Sequence, residues 1–294
     1  MCRVYSLQSQ SQLRRRLSVA IPASVVSDTP HLREKTAKLG AIARATSIFG
    51  FNEIILYPDD PNLDQDADMK FCSEILHYIE TPQYLRKRMF RLSPTLKFTG
   101  ILPPLQTPPH NVPRTKRDVG AGDLREGLVV SRNDRTLVVD AGLEETISVV
   151  GSGRVGERLT VRLVGIDGNL RGEIADSAKI SIYWGYRVTR SKSKLASMLE
   201  KESFDLKIGT SRYGVRIQEA WTEISDSIRS VGSILVALGS PRMGLNEILA
   251  QESKTAQSVF DFYVNTVPNQ LVATVRTEEA LFISLGIFNA MRLR

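Results

Sequence analysis

Apolar and polar positions follow two different periods along this chain, and the period changes twice. Near the start, "LSVAIP" and "EIILYPD" are short and nearly continuous apolar runs. Between them the apolar stripe returns every three or four residues, at Leu39, Ile42, Ala43, Thr46 and Phe49. Buried strands around an amphipathic helix are typical of a parallel α/β sheet. The pattern therefore predicts a strand, a helix and a second strand as the first elements.

Helix ends carry their own signals in this region. We expect the first helix to be capped by Asp28 or Thr29, with Pro30 in its first turn, and to stop at Gly50. "DMKFCSEILHYI" and "TPQYLRKRMF" predict two further helices, the second capped by Thr81.

Glycine-punctuated strands replace this pattern in the middle of the chain. A proline-rich stretch comes first, and five alternating runs follow: "EGLVVSR", "RTLVVDAG", "TISVVG", "ERLTVRLVGI" and "NLRGEIAD". Turn signals stand at Asn133-Asp134 and Asp167-Gly168. We interpret residues 96–178 as an inserted, small antiparallel OB-like β-barrel, a fold that often binds oligonucleotides.

The α/β pattern returns at "ISIYWGYRV" and continues to the end of the chain. Strands are predicted at "DLKIGTS", "SILVAL" and "VFDFYVNTV", and helices at "SKSKLASMLEK", at "IQEAWTEISDSI" and from Thr277 to Met291. The barrel thus interrupts one α/β domain, made of residues 16–95 and 179–294. We expect residues 1–15 to form a flexible tail.

Three turns of the last segment each follow a strand: "IGTSRYG", "LGSPRMGL" and "NTVPNQ". If those strands are neighbours in a parallel sheet, the turns meet at its carboxyl edge, where α/β folds bind ligands. Gly239 and Gly244 permit close approach of the backbone. The sequence has neither a phosphate-binding P-loop nor a dinucleotide fingerprint. A pocket of backbone amides and carbonyls suits an adenosine, and plain structural turns are the alternative.

The composition argues against several classes of protein. Hydrophobic residues make up 42% of the chain and charged residues 24%, and no apolar run has the length of a membrane span or a secretory signal. Cys2 and Cys72 form neither a disulfide framework nor a metal-ligand motif. We therefore expect a soluble, cytoplasmic protein without a metal ion.

The net charge of +7 indicates an anionic partner. Basic clusters at "LRKRMFR" and "RVTRSKSK" have aromatic residues close by, and others stand at "RRR" near the start and at "RTKR". Cations that neutralise phosphates, beside rings that stack on bases, favour RNA over a membrane. A charge that only improves solubility is the alternative. The candidate RNA contacts in these clusters are Arg86, Lys87, Arg88, Arg187 and Arg190.

Three stretches resemble successive motifs of the SPOUT superfamily of S-adenosylmethionine-dependent RNA methyltransferases: "AKLGAIARATSIFGFNEIILY", "LGSPRMGLNEIL" and "VNTVPNQLVATVRTEEALFISLGIFN". The inserted barrel is similar to that of the archaeal and eukaryotic branch of RNA uridine methyltransferases. The resemblance implies a trefoil knot, an exception among folds, and a homodimer whose active sites are completed across the knot. It also implies that the cofactor is bound by Leu238, Gly239, Ser240, Gly244, Thr266, Val267, Pro268, Gln270, Val275, Arg276, Thr277 and Ala280.

The same resemblance implies roles for single arginines. Arg44 occupies the position of the first-motif arginine, which engages the substrate near the methyl group, and it lies off the apolar stripe of its helix. Arg212 and Arg242 are further candidates for RNA contact. The last motif has "RTEEA" where ribose methylases have a serine-leucine-asparagine stretch. We therefore expect methylation of a base nitrogen of uridine, in ribosomal or transfer RNA.

The start of the last helix has simpler explanations for its polar residues. Thr277 is its predicted N-cap. Glu278 and Glu279 are adjacent, so they face different sides of the helix and favour its positive end rather than forming an acid–base couple.

Two other functions are compatible with the sequence. In the first, the barrel and the basic clusters hold RNA within a ribosome-associated complex and the pocket is vestigial. In the second, the chain is an unrelated nucleotide-binding enzyme with a doubly wound sheet, against which the missing phosphate loop argues.

Overall fold

A parallel sheet and a closed barrel organise the chain, and the computed structural model describes residues 15–113, 115–165, 171–176 and 179–292 of it. The strands are β1 (Arg16–Pro22), β2 (Glu53–Tyr57), β3 (Leu124–Asn133), β4 (Thr136–Asp140), β5 (Ile147–Val150), β6 (Arg158–Val164), β7 (Arg171–Ile174), β8 (Arg187–Arg190), β9 (Leu206–Arg216), β10 (Ser233–Ala237) and β11 (Phe262–Asn265). The α-helices are α1 (Leu32–Ile48), α2 (Asp66–Glu80), α3 (Gln83–Met89), α4 (Leu195–Lys201), α5 (Trp221–Ser230), α6 (Leu245–Ala250), α7 (Ala256–Val259) and α8 (Thr277–Arg292). Short 3₁₀ turns cover Ala23–Val26, Pro94–Leu96, Thr99–Ile101, Pro108–His110 and Lys116–Asp118.

The sheet has the strand order β11-β9-β10-β1-β2-β8, and all of its pairs are parallel. β1 and β10 pair from Arg16 with Ser233 to Ala20 with Ala237. The side chains of β2 are all buried, as are those of β1 after Arg16. Strands buried on both faces read as continuous apolar runs, which is the pattern that predicted this α/β class.

Helices cover the sheet in two groups. The helices α1 and α5 both pack against α8. In the other group α4 packs against α6, over a core that includes Tyr57, Leu199, Leu235, Leu249 and Phe260. No helix of the described ranges is long and apolar enough to cross a membrane.

The barrel closes in the order β3-β4-β5-β7-β6. Its core is made of alternate residues such as Val129, Leu137, Val149 and Val161. The five predicted strands and the barrel are confirmed; four of the five strand pairs are antiparallel, as predicted, and β5 and β7 pair in parallel. The predicted turn at Asn133-Asp134 is confirmed, with Asp134 at a φ of 47°. The predicted turn at Asp167-Gly168 lies outside the described residues.

The chain divides into two compact units. One holds the barrel, in Leu105–Gly185, together with Glu80–Ser93; the other holds the sheet, in Arg15–Ile79, Pro94–Pro104 and the chain from Tyr186 onward. These borders differ from the predicted ones at 95/96 and 178/179. The predicted tail, residues 1–15, lies outside the described residues except for Arg15, whose guanidinium donates to the carbonyls of Ile228 and Arg229.

The predicted stop of the first helix is confirmed, and two predicted caps are wrong. Gly50 follows α1 with a φ of 71°, the left-handed conformation that suits glycine. The helix begins after His31, and the carboxylate of Asp28 instead accepts hydrogen bonds from Lys38 at 2.8 and 2.9 Å. The helix α3 begins after Pro82, not Thr81.

The stretch "IGTSRYG" was predicted to be a turn that follows a strand. In the structure it is instead a bulge inside β9. The register of β9 against β11 jumps from Gly209–Tyr263 to Val215–Val264, so residues 210–214 leave the ladder. The strand continues to Arg216 beyond this bulge.

Candidate active site

The strands β9, β10 and β11 are neighbours, so the segments that follow β10 and β11 start from the same edge of the sheet. Leu238, the first residue after β10, is held on both sides. Its amide donates to the carbonyl of Ala20 (3.1 Å), and its carbonyl accepts from the phenol of Tyr57 (2.6 Å). Burial, with the nearby charge of Asp59, raises the pKa of Tyr57 well above its usual value, so the phenol stays a donor.

A tight turn connects Leu238 to α6. The amide of Ser240 donates to the carbonyl of Met243 (2.8 Å), and the Met243 amide donates back to Ser240 Oγ (3.0 Å). The amide of Gly244 donates to the carboxylate of Glu247 (2.6 Å), which fixes the start of α6. A Cβ on Gly239 would lie 3.0 Å from the Met243 carbonyl oxygen and 3.1 Å from the Gly244 Cα. A larger residue at position 239 would therefore force the backbone of the turn to shift by a few tenths of an ångström.

The start of α8 meets this turn. Thr277 Oγ1 donates to the carbonyl of Gly239 (3.4 Å), and Thr277 is buried. Thr277 is the first residue of the helix rather than its N-cap, so the predicted cap is wrong. The preceding residue, Arg276, donates its amide to the carboxylate of Glu279 (2.9 Å), and its carbonyl accepts from the Ala280 amide (2.8 Å).

The segment after β11 is anchored where it begins and is closed on itself further along. Thr266 shares a buried hydrogen bond with Ser284 of α8 (2.8 Å between the hydroxyl oxygens), and the Val267 amide donates to Asn265 Oδ1 (2.9 Å). The Gln270 side chain turns back to donate to the carbonyl of Val272 (2.9 Å). The remaining residues of the predicted cofactor set in this segment, Pro268 and Val275, are half-buried.

A buried lysine that the sequence did not single out joins α1 to α8. Lys38 is 6% exposed, and its Nζ lies 2.8 Å from the carboxylate of Asp28 and 3.4 Å from that of Glu278. Burial alone would raise the pKa of Asp28, but the bonds from Lys38 outweigh it and hold that pKa below its usual value. Lys38 therefore ties the segment after β1 to the first turn of α8, next to the Gly239 turn.

Arg44 lies six residues further along α1, about 9 Å from Lys38 along the helix axis. Each helical residue rotates by about 100°, so six residues place Arg44 roughly a third of a turn around the helix from Lys38. Lys38 faces α8. Its Nη1 donates to the carbonyl of Pro104 (3.1 Å). Within one chain, Arg44 therefore lies on a different face of α1 from the one that meets the start of α8.

Two of the candidate RNA contacts lie at this edge of the sheet unit. Arg212, in the bulge of β9, donates to the carbonyl of Ala273 (3.0 Å), and Arg242 is exposed in the turn before α6. Arg187 and Arg190 belong to β8, at the opposite side of the sheet order. Arg187 Nε lies 2.8 Å from the buried carboxylate of Glu53, so this arginine has a structural partner that its sequence position did not suggest.

The remaining basic candidates belong to the barrel unit. Arg86 Nε donates to the carbonyl of Thr81 (2.8 Å), Arg88 Nε lies 2.6 Å from the carboxylate of Asp140, and Lys87 is exposed. The role of all three in RNA binding stays a prediction. Of the cluster "RTKR", Arg114 lies outside the described residues.

No group of three or more histidine, cysteine, aspartate or glutamate side chains in the described part of the chain is arranged to hold a metal ion. Cys72 is buried, and that burial raises the pKa of its thiol to about 12, so the group is not a nucleophile at neutral pH.

Comparisons with known proteins cover nearly the whole chain. The family described as "Putative RNA methyltransferase" matches residues 16–288. A human protein named 28S rRNA (uridine-N(3))-methyltransferase is 31% identical over 296 residues, which cover 92% of this chain and 77% of that protein. An uncharacterized protein of Haloarcula marismortui is 32% identical over 282 residues, covering 91% and 96%. Among solved structures, a probable methyltransferase from Bordetella pertussis is 12% identical with a TM-score of 0.41, covering 96% of this chain and 98% of that one.

Proposed function

This chain belongs to that family of RNA methyltransferases, and we propose that it transfers a methyl group to N3 of a uridine in ribosomal RNA. The human relative carries that activity in its name. The main support for this site is the hydrogen bond from Thr277 to the Gly239 carbonyl. It brings together two of the segments that the resemblance implies as cofactor-binding.

S-adenosylmethionine is the cofactor in this proposal, and the residues present fit it. The amide of Gly239 has no hydrogen-bond partner within the described chain, although the residue is half-buried. An adenine edge offers acceptors for such a donor. Leu238, Val267 and Pro268 supply apolar surface for the ring, and no fixed charge is needed there.

The reaction requires little acid–base chemistry from the chain's own residues. S-adenosylmethionine, when bound, supplies an electrophilic methyl group. The protein must then orient the uridine and stabilise the negative charge that is left on the base as its N3 proton passes to solvent, so that N3 accepts the methyl group while the methyl–sulfur bond breaks. We assign that stabilising role to Arg44, whose planar guanidinium presents several N–H donors to an oxygen of the base.

We also propose that the active site is completed in a homodimer, and that the C-terminal segments form a trefoil knot. The position of Arg44 supports the dimer, since within one chain it lies on a different face of α1 from the one that meets α8. A second copy would bring an Arg44 to the Gly239 turn. Sedimentation of the purified protein tests this, and a monomer with full activity would contradict it.

The barrel is, in our proposal, an OB-type RNA-binding element, and the protein works in the cytoplasm. Its closed five-stranded order, with one parallel pair between the third and fifth strands, supports an OB-type assignment. Imaging of a tagged protein tests the location.

The first experiment is calorimetric titration with S-adenosylmethionine and, separately, with NAD and ATP. We expect only S-adenosylmethionine to bind, and Gly239→Val to abolish that binding. Because a Cβ at position 239 would itself disturb the turn, the thermal melting of this variant must be measured beside wild type. Transfer of a labelled methyl group into ribosomal RNA, followed by nucleoside analysis for N3-methyluridine, then tests the reaction. Binding of ATP or NAD instead would contradict the proposal.

A further inference from the structure

The bulge of β9 carries an aromatic side chain that no part of the site described so far explains. Tyr213 is 72% exposed, although it belongs to a strand of the main sheet. The guanidinium carbon of Arg212 lies 4.7 Å from the centre of its ring. A cation over one face of an exposed ring leaves the other face available to a flat partner.

The bulge is held firmly in place. Thr210 Oγ1 donates to the carbonyl of Ala237 (3.1 Å), and the Tyr213 amide donates to Ser211 Oγ (3.2 Å). The side chain of Asn265 donates to the carbonyl of Arg212 (3.0 Å). A ring presented by a fixed loop loses little conformational entropy when it binds, so this exposure favours recognition.

Glycine at position 214 allows the end of the bulge to lie close to the backbone of β11. A Cβ there would lie 2.5 Å from the carbonyl carbon of Val264 and 2.6 Å from its Cα. The bulge therefore returns to the ladder directly against the backbone of β11 at Val264, two residues before the segment after β11 starts at Thr266. Arg212 reaches that segment as well, through its bond to the Ala273 carbonyl (3.0 Å).

From these contacts we infer that Tyr213 is a stacking platform for an unpaired RNA base beside the methyl-transfer site, with Arg212 covering the far face of the ring. Single-stranded RNA is recognised by bases stacked on aromatic rings and by arginine cations that attract the phosphates. Both groups are present here, on a fixed bulge tied to the segment implied as cofactor-binding. This inference rests on the proposed RNA substrate and adds the side chain that holds a nucleotide of it.

Three variants of the full-length protein test the platform. Tyr213→Ala removes the ring, Tyr213→Phe keeps it, and Val215→Ala shortens another exposed side chain of the same strand as the matched control. The probe is a fluorescein-labelled single-stranded RNA of about 12 nucleotides that contains uridine, followed by fluorescence anisotropy. Loss of one stacked base should raise the Kd of Tyr213→Ala by about 10-fold, whereas the other two variants should bind like wild type.

Three further readouts separate the alternatives. Thermal melting should be unchanged, because the ring is exposed. Calorimetry with S-adenosylmethionine should give wild-type affinity for Tyr213→Ala, and a loss there would mean that the ring belongs to the cofactor pocket. Sedimentation should also be unchanged, and a shift in oligomeric state would mean that a second copy of the chain covers the ring. Either of these results, or an RNA affinity equal to wild type, overturns the platform.

The failure of the platform differs from the failure of the proposed function. Wild-type protein that methylates ribosomal RNA, with Tyr213→Ala binding RNA equally well, refutes the platform and leaves the function intact. Wild-type protein that binds RNA through Tyr213 but transfers no methyl group refutes the function and leaves the platform intact. Wild-type protein that does not bind the probe refutes the platform.

Discussion

Arg44 is the side chain on which the proposed chemistry depends most. Since it contacts the carbonyl of Pro104 and lies on a different face of α1 from Lys38, replacing it should leave the cofactor turn undisturbed. We expect Arg44→Ala to reduce methyl transfer at least 100-fold, as removal of a group that stabilises developing charge does. S-adenosylmethionine affinity, measured by calorimetry, should change less than about 2-fold, well within the energy of one weak contact. Arg33→Ala, exposed on the same helix, is the control. Unchanged turnover would remove Arg44 from the mechanism.

Lys38 is a second single residue whose role can be tested, and this role is to stabilise the fold. Lys38→Met keeps the length of the side chain and removes the cation that faces Asp28 and Glu278. Two carboxylates are then left with no opposite charge, which should lower the free energy of unfolding by about 3 kcal/mol. Urea denaturation measures this change. Arg33→Met, at an exposed position on α1, should have almost no effect. Equal stability of both variants would mean that the buried cation contributes nothing.

A second buried charge acts at the scale of the elements, because Glu53 joins three strands. Its carboxylate accepts from Arg16 Nε of β1 (2.9 Å), from Ser18 Oγ of β1 (2.5 Å) and from Arg187 Nε of β8 (2.8 Å). Burial alone would raise the pKa of Glu53, but these bonds outweigh it, and the pKa is lowered. A carboxylate with a lowered folded-state pKa stabilises the protein at pH values above its usual pKa. That stabilisation is lost as the pH falls through the folded-state value.

The variant Glu53→Gln should therefore show a pH-dependent difference from wild type. At pH 7 its free energy of unfolding should be lower by about 2 kcal/mol, the usual contribution of hydrogen bonds to a charged group. The difference should shrink as the pH is lowered through the acidic range, because the wild-type carboxyl then becomes neutral as well. Denaturation at a series of pH values gives this curve. A difference that is independent of pH would show that packing, not ionisation, is the cause.

At the scale of the elements, the hydrophobic periodicity of the sequence predicted the type of each element well, but the residues that cap the helices were predicted poorly. The apolar runs of β1, β2 and β10 predicted buried parallel strands, because burial on both faces excludes polar residues. The predicted cap at Asp28 failed for a tertiary reason, which is visible as the bonds of its carboxylate to Lys38. The bulge in β9 depends on which strand lies beside it, and no local pattern contains that information.

At the scale of the whole molecule, the proposed site brings together residues far apart in the sequence. The resemblance to known motifs points to the turn after β10, the segment after β11 and the start of α8, and their role in cofactor binding stays a prediction. The role of Lys38 could not be predicted, because a lysine on an amphipathic helix normally lies in solvent, and only its contacts with Asp28 and Glu278 reveal the role. A role for Tyr213 could not be predicted for a similar reason. An aromatic residue in a strand predicts a buried ring, whereas this ring is exposed.

The net charge of +7 gives the last prediction, which concerns how the whole protein binds RNA. Each phosphate neutralised by a cation releases counterions, so the affinity for single-stranded RNA should fall steeply as salt is raised. Arg242→Ala removes one exposed cation at the edge of the site. The ratio of its Kd to that of wild type should therefore shrink toward one at high salt. Stacking releases no counterions, so the corresponding ratio for Tyr213→Ala should stay constant across the same salt series. If the Tyr213→Ala ratio shrinks in parallel with that of Arg242→Ala, then the ring acts only by orienting Arg212 toward a phosphate.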